Sequence, residues 1–334
     1  MTILISPPVD PAALPVRVRK RGGGIWRSFL SNRKANIGFG LFFLLLVMSV
    51  FPSLFTGVDD PTAPARYMPR LPPSGDHWLG TTSLGQDTWA LFIYGARQPM
   101  IIAVVAGGLA TVISVLVGVS AAYLGGIADD VLSFITNVVL VIPTFPLVIV
   151  LSAYAGHPTL TVMIAVLVVT GWSYGANQMR VQALSLRNRD FLESARVRGE
   201  RRLYIIVCEM LPTMVSLIIA NFLGAALYSV LNAAGLQFLG LGDPNSTGWG
   251  TMLYWADSQG ALENGAEWWA ISPALGIAAL GVAFALMNYA FDEISNPALR
   301  PVRRQRGKKF AGRFRPASSV AGSAVSASGA AGGE

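Results

Sequence analysis

Charge is scarce in this chain. Only 13% of its 334 residues are Asp, Glu, Lys or Arg, while 53% are hydrophobic. A soluble domain carries about 25% charged residues, so a deficit this large excludes an ordinary water-facing surface and points to lipid. Cysteine is nearly absent: Cys208 stands alone, which excludes an internal disulfide framework. Histidine is limited to His77 and His157, far apart in the chain, so neither a His-rich metal cluster nor a Ser/His/Asp site is expected. No GxxxxGK[ST] phosphate cradle occurs, and Gly307-Lys308-Lys309 lacks both the preceding glycine and the hydroxyl residue. The chain is therefore expected to hold no cofactor of its own and not to be an enzyme. Met1 to Arg21 is polar, basic and Pro-containing, without the apolar core of a secretory signal. The first long apolar run is accordingly expected to remain as a membrane anchor.

What the chain does have is long apolar runs. A helix needs roughly 17–25 apolar residues to cross about 30 Å of hydrocarbon. Six runs of that kind appear, at about 37–55, 99–123, 131–154, 159–175, 213–234 and 270–291. Inside a bilayer each backbone amide must be bonded within its own segment, so the runs are read as helices and the fold class as all-α integral membrane. Pro143 and Pro146 predict a kink in the third run.

Six helices place both termini on one face, and the basic residues say which. Seven lie between Arg17 and Lys34, seven between Arg180 and Arg202, and eight between Arg300 and Arg315. The opposite face keeps Arg66, Arg70 and Arg97 beside eight acidic residues. The positive-inside rule then gives an N-in/C-in topology. The net charge of +7 is thus a topology signal with some attraction to anionic lipid, not a nucleic-acid footprint. The expected organisation is a cytoplasmic basic segment (1–34), a first transmembrane helix (35–56), an external loop (57–98), a core (99–300) and a basic tail expected to be disordered (301–334). Within the core lie a cytoplasmic loop (178–212) and an external loop (235–269). The external tryptophans Trp249, Trp255, Trp268 and Trp269 fit either interfacial anchoring or a docking surface.

The stretch from Arg189 to Pro212 carries the most information. It reads as a short amphipathic helix, a turn at Gly199 and a second helix ending at Pro212. Phe191, Leu192 and Ala195 gather on one side, while Arg196, Arg198 and Glu200 face water or a partner. Asp190 and Glu193 suit the positive N-terminus of a helix, and Gly199 permits a turn that a Cβ would resist.

The spacing Glu193-Ser194-Ala195, then Gly199, then Leu211-Pro212 resembles the EAA motif of binding-protein-dependent ABC permeases. Ser194 stands where the second alanine is usual, and Glu209 where many members carry His. A second stretch, His77 to Asp87 followed by Ile93-Tyr94-Gly95-Ala96-Arg97, is similar to the external signature of the dipeptide/oligopeptide/nickel permeases, C-type. Thr82 and Gln86 depart from the Asp and Arg common there. Gly235 to Gly242, with Trp249-Gly250 after it, resembles that family's last external loop. Together these matches cover roughly residues 25 to 300. The resemblance implies a type I ABC importer permease with one extra N-terminal helix, resident in the bacterial inner or plasma membrane.

It also implies partners: a second permease subunit, two ABC ATPase subunits that bind ATP and Mg, and an extracytoplasmic solute-binding protein. Asp190, Glu193, Ser194, Ala195, Arg198, Gly199, Leu211 and Pro212 would then couple to the ATPase, driving alternating access through helices three to five. Gly80, Asp87, Trp249 and Trp255 would dock the receptor. The cargo is expected to be a peptide, with an oligosaccharide as the alternative. Polar residues within the spans, Asn137, Thr144, Ser173, Asn177, Asn221 and Asn232, are candidates either for the pathway or for interhelical hydrogen bonding. An ion-coupled secondary transporter is the rival reading; it would need ionisable residues within the spans, and none sits at mid-span. A purely structural scaffold would leave the EAA spacing unexplained.

Overall fold

Backbone groups that lose water must find partners along their own helix, and the computed structural model of the chain is built that way. It describes residues 32–154 and 159–295. The N-terminal segment to residue 31, His157 and the tail beyond 295 lie outside the described residues. Among the described residues there is no strand, only one isolated bridge between Thr81 and Asp87.

The helices are α1 (Arg33–Val50), α2 (Thr88–Gly95), α3 (Arg97–Leu124), α4 (Gly126–Val141), α5 (Thr144–Tyr154), α6 (Leu160–Gly171), α7 (Ser173–Arg187), α8 (Asp190–Val197), the single turn α9 (Arg202–Tyr204), α10 (Leu211–Phe238), α11 (Trp249–Ser258) and α12 (Glu267–Ser295). Among the described residues, five stretches are long and apolar enough to cross a membrane: Arg33–Val50, Thr88–Leu124, Leu160–Arg187, Arg202–Phe238 and Glu267–Phe291. A sixth exists if the bent pair α4 and α5 counts as one span.

That pair corrects the reading of the third run as one kinked helix. The two halves meet at 90°. Pro143 explains the break, because the residue before a proline is pushed out of the helical region, and Ile142 is indeed extended at φ −67°, ψ 128°. Pro146 contributes little to it: it lies in the first turn of α5, where its missing amide would have no helical partner.

Two further boundaries move. The fourth apolar run does not stop at Gly175; α7 continues it to Arg187. The fifth does not begin at Thr213; helix is continuous from Arg202. The first extension is polar, which hides it from hydropathy, and the second reads in the sequence as a separate helix ending at Pro212. Thr88–Leu124 and Arg202–Phe238 each hold 37 residues, or ~55 Å of helix against about 30 Å of hydrocarbon. They project well past the bilayer.

Helix α3 is the central post. It packs most extensively on α7 and α10; α10 packs on α12, and α12 on α1. The approach of α3 to α7 depends on Gly118. A Cβ there would collide with the Ala176 carbonyl and lie 2.8 Å from the Met179 Cβ. Gly118→Val is therefore expected to push the two helices apart and destabilise the subunit by about 1–3 kcal/mol or more. Gly108 lies on the same helix with open space around it, so Gly108→Val is expected to be nearly neutral. Thermal unfolding of the detergent-purified subunit compares the two.

Candidate functional site

At one end of the bundle a short hairpin is bolted to the long helices. Leu192 and Ala195 of α8 are fully buried. They pack with Val119, Ala122 and Tyr123 of α3, Met179 and Ala183 of α7, and Ile205, Met210 and Met214 below. Phe191, grouped with them from the sequence, is 38% exposed. Leu192 and Ala195, three residues apart, define the buried ridge, and Phe191 falls about 100° from Leu192 around the helix.

The opposite face of α8 is free and charged. Asp190, Glu193, Ser194, Arg196 and Arg198 are all exposed. Asp190 and Glu193 occupy the first turn, where they complement the helix dipole. The Ser194 hydroxyl donates back to the Asp190 carbonyl at 2.8 Å, and Arg196 lies over the Tyr123 ring at 5.6 Å. Arg198 reaches Glu209 at 3.7 Å and Glu200 at 4.0 Å. Exposed pairs of that length stabilise little.

Gly199 ends α8 with φ +78°. Its amide donates to the Arg196 carbonyl at 3.0 Å, and the Glu200 amide donates to the Ala195 carbonyl at 3.2 Å. That pair of bonds is the Schellman cap, which requires a left-handed residue at this position. The chain then enters α9.

The expected helix end at Pro212 is not found. Residues Ile205–Met210 form a π-helical segment, and the Leu211 amide donates to the Ile206 carbonyl, five residues back. Pro212 sits in the first turn of α10. The wider π turn moves aside the carbonyl that a proline ring would strike, so the helix passes through instead of ending. The hairpin is thus rigidly continuous with α10.

Midway along the bundle, α7 and α10 border a groove of about 830 Å³. Ser173, Asn177 and Asn221, named from the sequence, line it. Tyr174, Gln178, Gln182, Tyr228 and Asn288 line it too and were missed. On α7 these residues follow a 174, 177, 178, 181, 182 stripe, a helical period that becomes visible once residues 177–187 are read as helix. Asn137 borders a separate small space with Asn177 and Arg180. Asn232 donates to the Tyr228 carbonyl at 2.8 Å within its own helix, and the Thr144 side chain lies outside the described residues.

Asn221 is buried beside Gly175, against which it leaves no room for a Cβ, and it donates to Thr111 Oγ1 at 3.4 Å. Below the groove, Arg180 grips Asp129 through two bonds of 2.6 and 2.8 Å. Ser133 donates to the same carboxylate at 3.0 Å.

At the far end of the bundle, residues 52–95 and 239–269 form a lobe. Asp87 Oδ1 accepts from the amides of Trp89 and Ala90 at 2.8 and 3.3 Å, capping α2, while Oδ2 meets His77 Nδ1 at 3.0 Å. Gly80 is buried at φ +63°, with the Leu71 carbonyl and the Trp268 indole each 2.5 Å from a would-be Cβ. Trp249, expected at a docking surface or an interface, is 0% exposed. It stacks on Phe92 at 5.4 Å and donates to the Phe92 carbonyl at 2.9 Å. Its place is the core, because its flanking Gly248 and Gly250 let α11 close on α3 and α10. Trp255 remains partly open, lining a 330 Å³ pocket with Thr62, Gln86 and Asn245. Nearby, the Thr62 hydroxyl and amide bond Asp60 at 2.6 and 2.9 Å, holding that carboxyl below the ordinary range. Trp78, at 66% exposure, is the open aromatic of the lobe that the sequence reading passed over.

A membrane-spanning bundle with a polar groove and a charged hairpin mounted on a long helix defines a multi-span transport subunit. Residues 114–300 match the family described as binding-protein-dependent transport system inner membrane component. The chain is 31% identical to the oligopeptide transport system permease protein OppC of Mycobacterium tuberculosis, over 83% of this chain and 95% of that protein. It is 30% identical to the dipeptide transport system permease protein DppC of Bacillus subtilis, over 82% and 85%. To the glutathione transport system permease protein GsiD of Pectobacterium atrosepticum it is 32% identical, over 86% and 96%. The chain belongs to the binding-protein-dependent transport system inner membrane component family, and it is a multi-pass bacterial plasma-membrane permease subunit.

Proposed function

We infer that this chain forms half of the translocation pathway of an ATP-driven peptide importer and takes its drive through α8 from a separate ATPase subunit. The observation that carries this is the hairpin: an exposed charged face on a buried Leu192–Ala195 ridge, joined through an unbroken helix to the wall of the polar groove. A displacement of α8 reaches α10 through the Gly199 cap and α9, which the π segment joins to α10 without a break. The α8 end faces the cytoplasm, since seven basic residues lie between Arg180 and Arg202. The α11 lobe faces outward and receives a solute-binding protein, with Trp255 and Trp78 as its accessible aromatics. A second permease subunit closes the groove. Peptide is the cargo favoured by the names of the relatives, and the receptor selects it.

The test is uptake by the assembled importer in liposomes. ATP on the α8 side should drive accumulation with all ion gradients collapsed. Uptake driven by an ion gradient through this polypeptide alone would support the rival carrier reading instead.

A further inference from the structure

The groove between α7 and α10 has a chemical character that its position does not require. Among the described residues its lining contains no Asp, Glu, Lys, Arg or His. Its polar groups are mostly carboxamides, Asn177, Gln178, Gln182, Asn221 and Asn288, joined by the hydroxyls of Thr170, Ser173, Tyr174 and Tyr228. A carboxamide offers two donors and one acceptor oxygen at a single position, which matches the alternating N–H and C=O of a peptide main chain. Among the described residues the Asn288 Oδ1 has no hydrogen-bond partner, but it is sealed from solvent and so from the groove. The volume, about 830 Å³, lies within the roughly 300–1,000 Å³ of sites that enclose small ligands.

We propose that this groove reads the main-chain amides of its cargo and is indifferent to the cargo's net charge. This rests on the groove being the translocation pathway. The amides of α7 and α10 exchange hydrogen bonds with successive peptide groups. Among the described lining residues no fixed charge exists to hold or repel an ionised side chain. Selection by charge then belongs to the receptor, and this half of the pathway passes what the receptor delivers. Gln178 is the most informative position. It is half-buried on the groove stripe of α7, one turn from the exposed Tyr174 at the rim and clear of the Arg180–Asp129 lock.

The experiment uses the assembled importer with its receptor in liposomes, supplied with ATP. The probes are three tripeptides: trialanine, one with a central lysine and one with a central glutamate. Gln178→Glu is expected to raise the uptake ratio of the lysine peptide to the glutamate peptide by about fivefold or more, the effect of a unit charge a few ångströms away in a solvated groove. Gln178→Lys is expected to lower the same ratio by a similar factor, and Gln178→Ala to leave it at the wild-type value. The receptor is identical throughout, so a changed ratio reports this subunit. An unchanged ratio in both charged variants, or an equal loss for all three peptides, overturns the proposal. Failure of the wild-type importer to take up any peptide with ATP instead overturns the functional reading on which it rests.

Discussion

Replacing Gly199 by valine is expected to cut ATP-driven uptake steeply while leaving the subunit folded in the membrane. Nothing lies within 4 Å of a would-be Cβ at Gly199, so the obstacle is the backbone alone. At φ +78° a residue with a Cβ is strained by about 1–2 kcal/mol, and a β-branched one by more. The strain is relieved by opening the cap, which releases the Glu200–Ala195 and Gly199–Arg196 bonds and frees α8 from the lever. One or two kcal/mol shifts such an equilibrium by a factor of about 5–30, and uptake per molecule is expected to fall by that factor. Because asparagine tolerates the left-handed region better than other non-glycine residues, the expected order of activity is Gly199, then Gly199→Asn, Gly199→Ala and Gly199→Val. Uptake normalised to membrane protein level gives the series. ATP hydrolysis by the complex should persist where uptake is lost. Normal uptake by Gly199→Val at full protein level would mean that the turn has no part in coupling.

Asp129→Ala is expected to be the most destabilising single substitution at the hairpin end of the bundle. The carboxylate holds Arg180 by a two-bond fork and Ser133 by a third bond, with 16% and 29% of the Asp129 and Arg180 side chains exposed. Removing one partner leaves the guanidinium partly buried without compensation. A fully buried pair broken in this way loses about 3–5 kcal/mol; the residual exposure here reduces that to about 2–3 kcal/mol. For a chain of this size the melting temperature falls by about 3–4 °C. Pairing Asp129→Asn with Arg180→Gln removes both charges and keeps hydrogen-bonding groups, so more than half of the loss is expected to return. Arg180→Lys is expected to rescue little, since an ammonium cannot form the fork. A scanning calorimetry series on the purified subunit decides this. An unchanged melting temperature for Asp129→Ala would remove the lock from the account.

The apolar spans were legible in the sequence because hydrocarbon imposes length and composition together. The hairpin was legible for a different reason: the left-handed turn at Gly199 and the Leu192–Ala195 ridge each demand particular residue types at fixed spacing. What hydropathy could not show was where a helix continues after its apolar character ends. That hid the groove stripe on α7, whose Gln178 and Gln182 lie beyond the apolar run. It also made Pro212 look like a terminus, because proline normally ends a helix; the π turn that accommodates it depends on a wider backbone ring, for which the sequence has no plain signature. Trp249 was misplaced on the surface because tryptophan suits both a membrane interface and a core. The choice was made by Gly248 and Gly250, whose lack of side chains lets Gln98 and Gln237 approach the backbone beside it.

The central claim is that an exposed α8 is gripped by someone else's nucleotide machinery, and a cross-link tests it most directly. Cys208 is the only cysteine and is exposed, so the background is Cys208→Ser, with Ser194→Cys placed on the open face of α8. In membranes containing the assembled importer, a short maleimide–succinimidyl ester cross-linker should join the introduced thiol to a lysine amine of the ATPase subunit, block ATP-driven uptake, and lose that reaction when the ATPase subunit is stripped away. The opposite result is a thiol that stays fully accessible to a bulky soluble maleimide in a transporting complex and forms no link to any ATPase, and it would contradict the account.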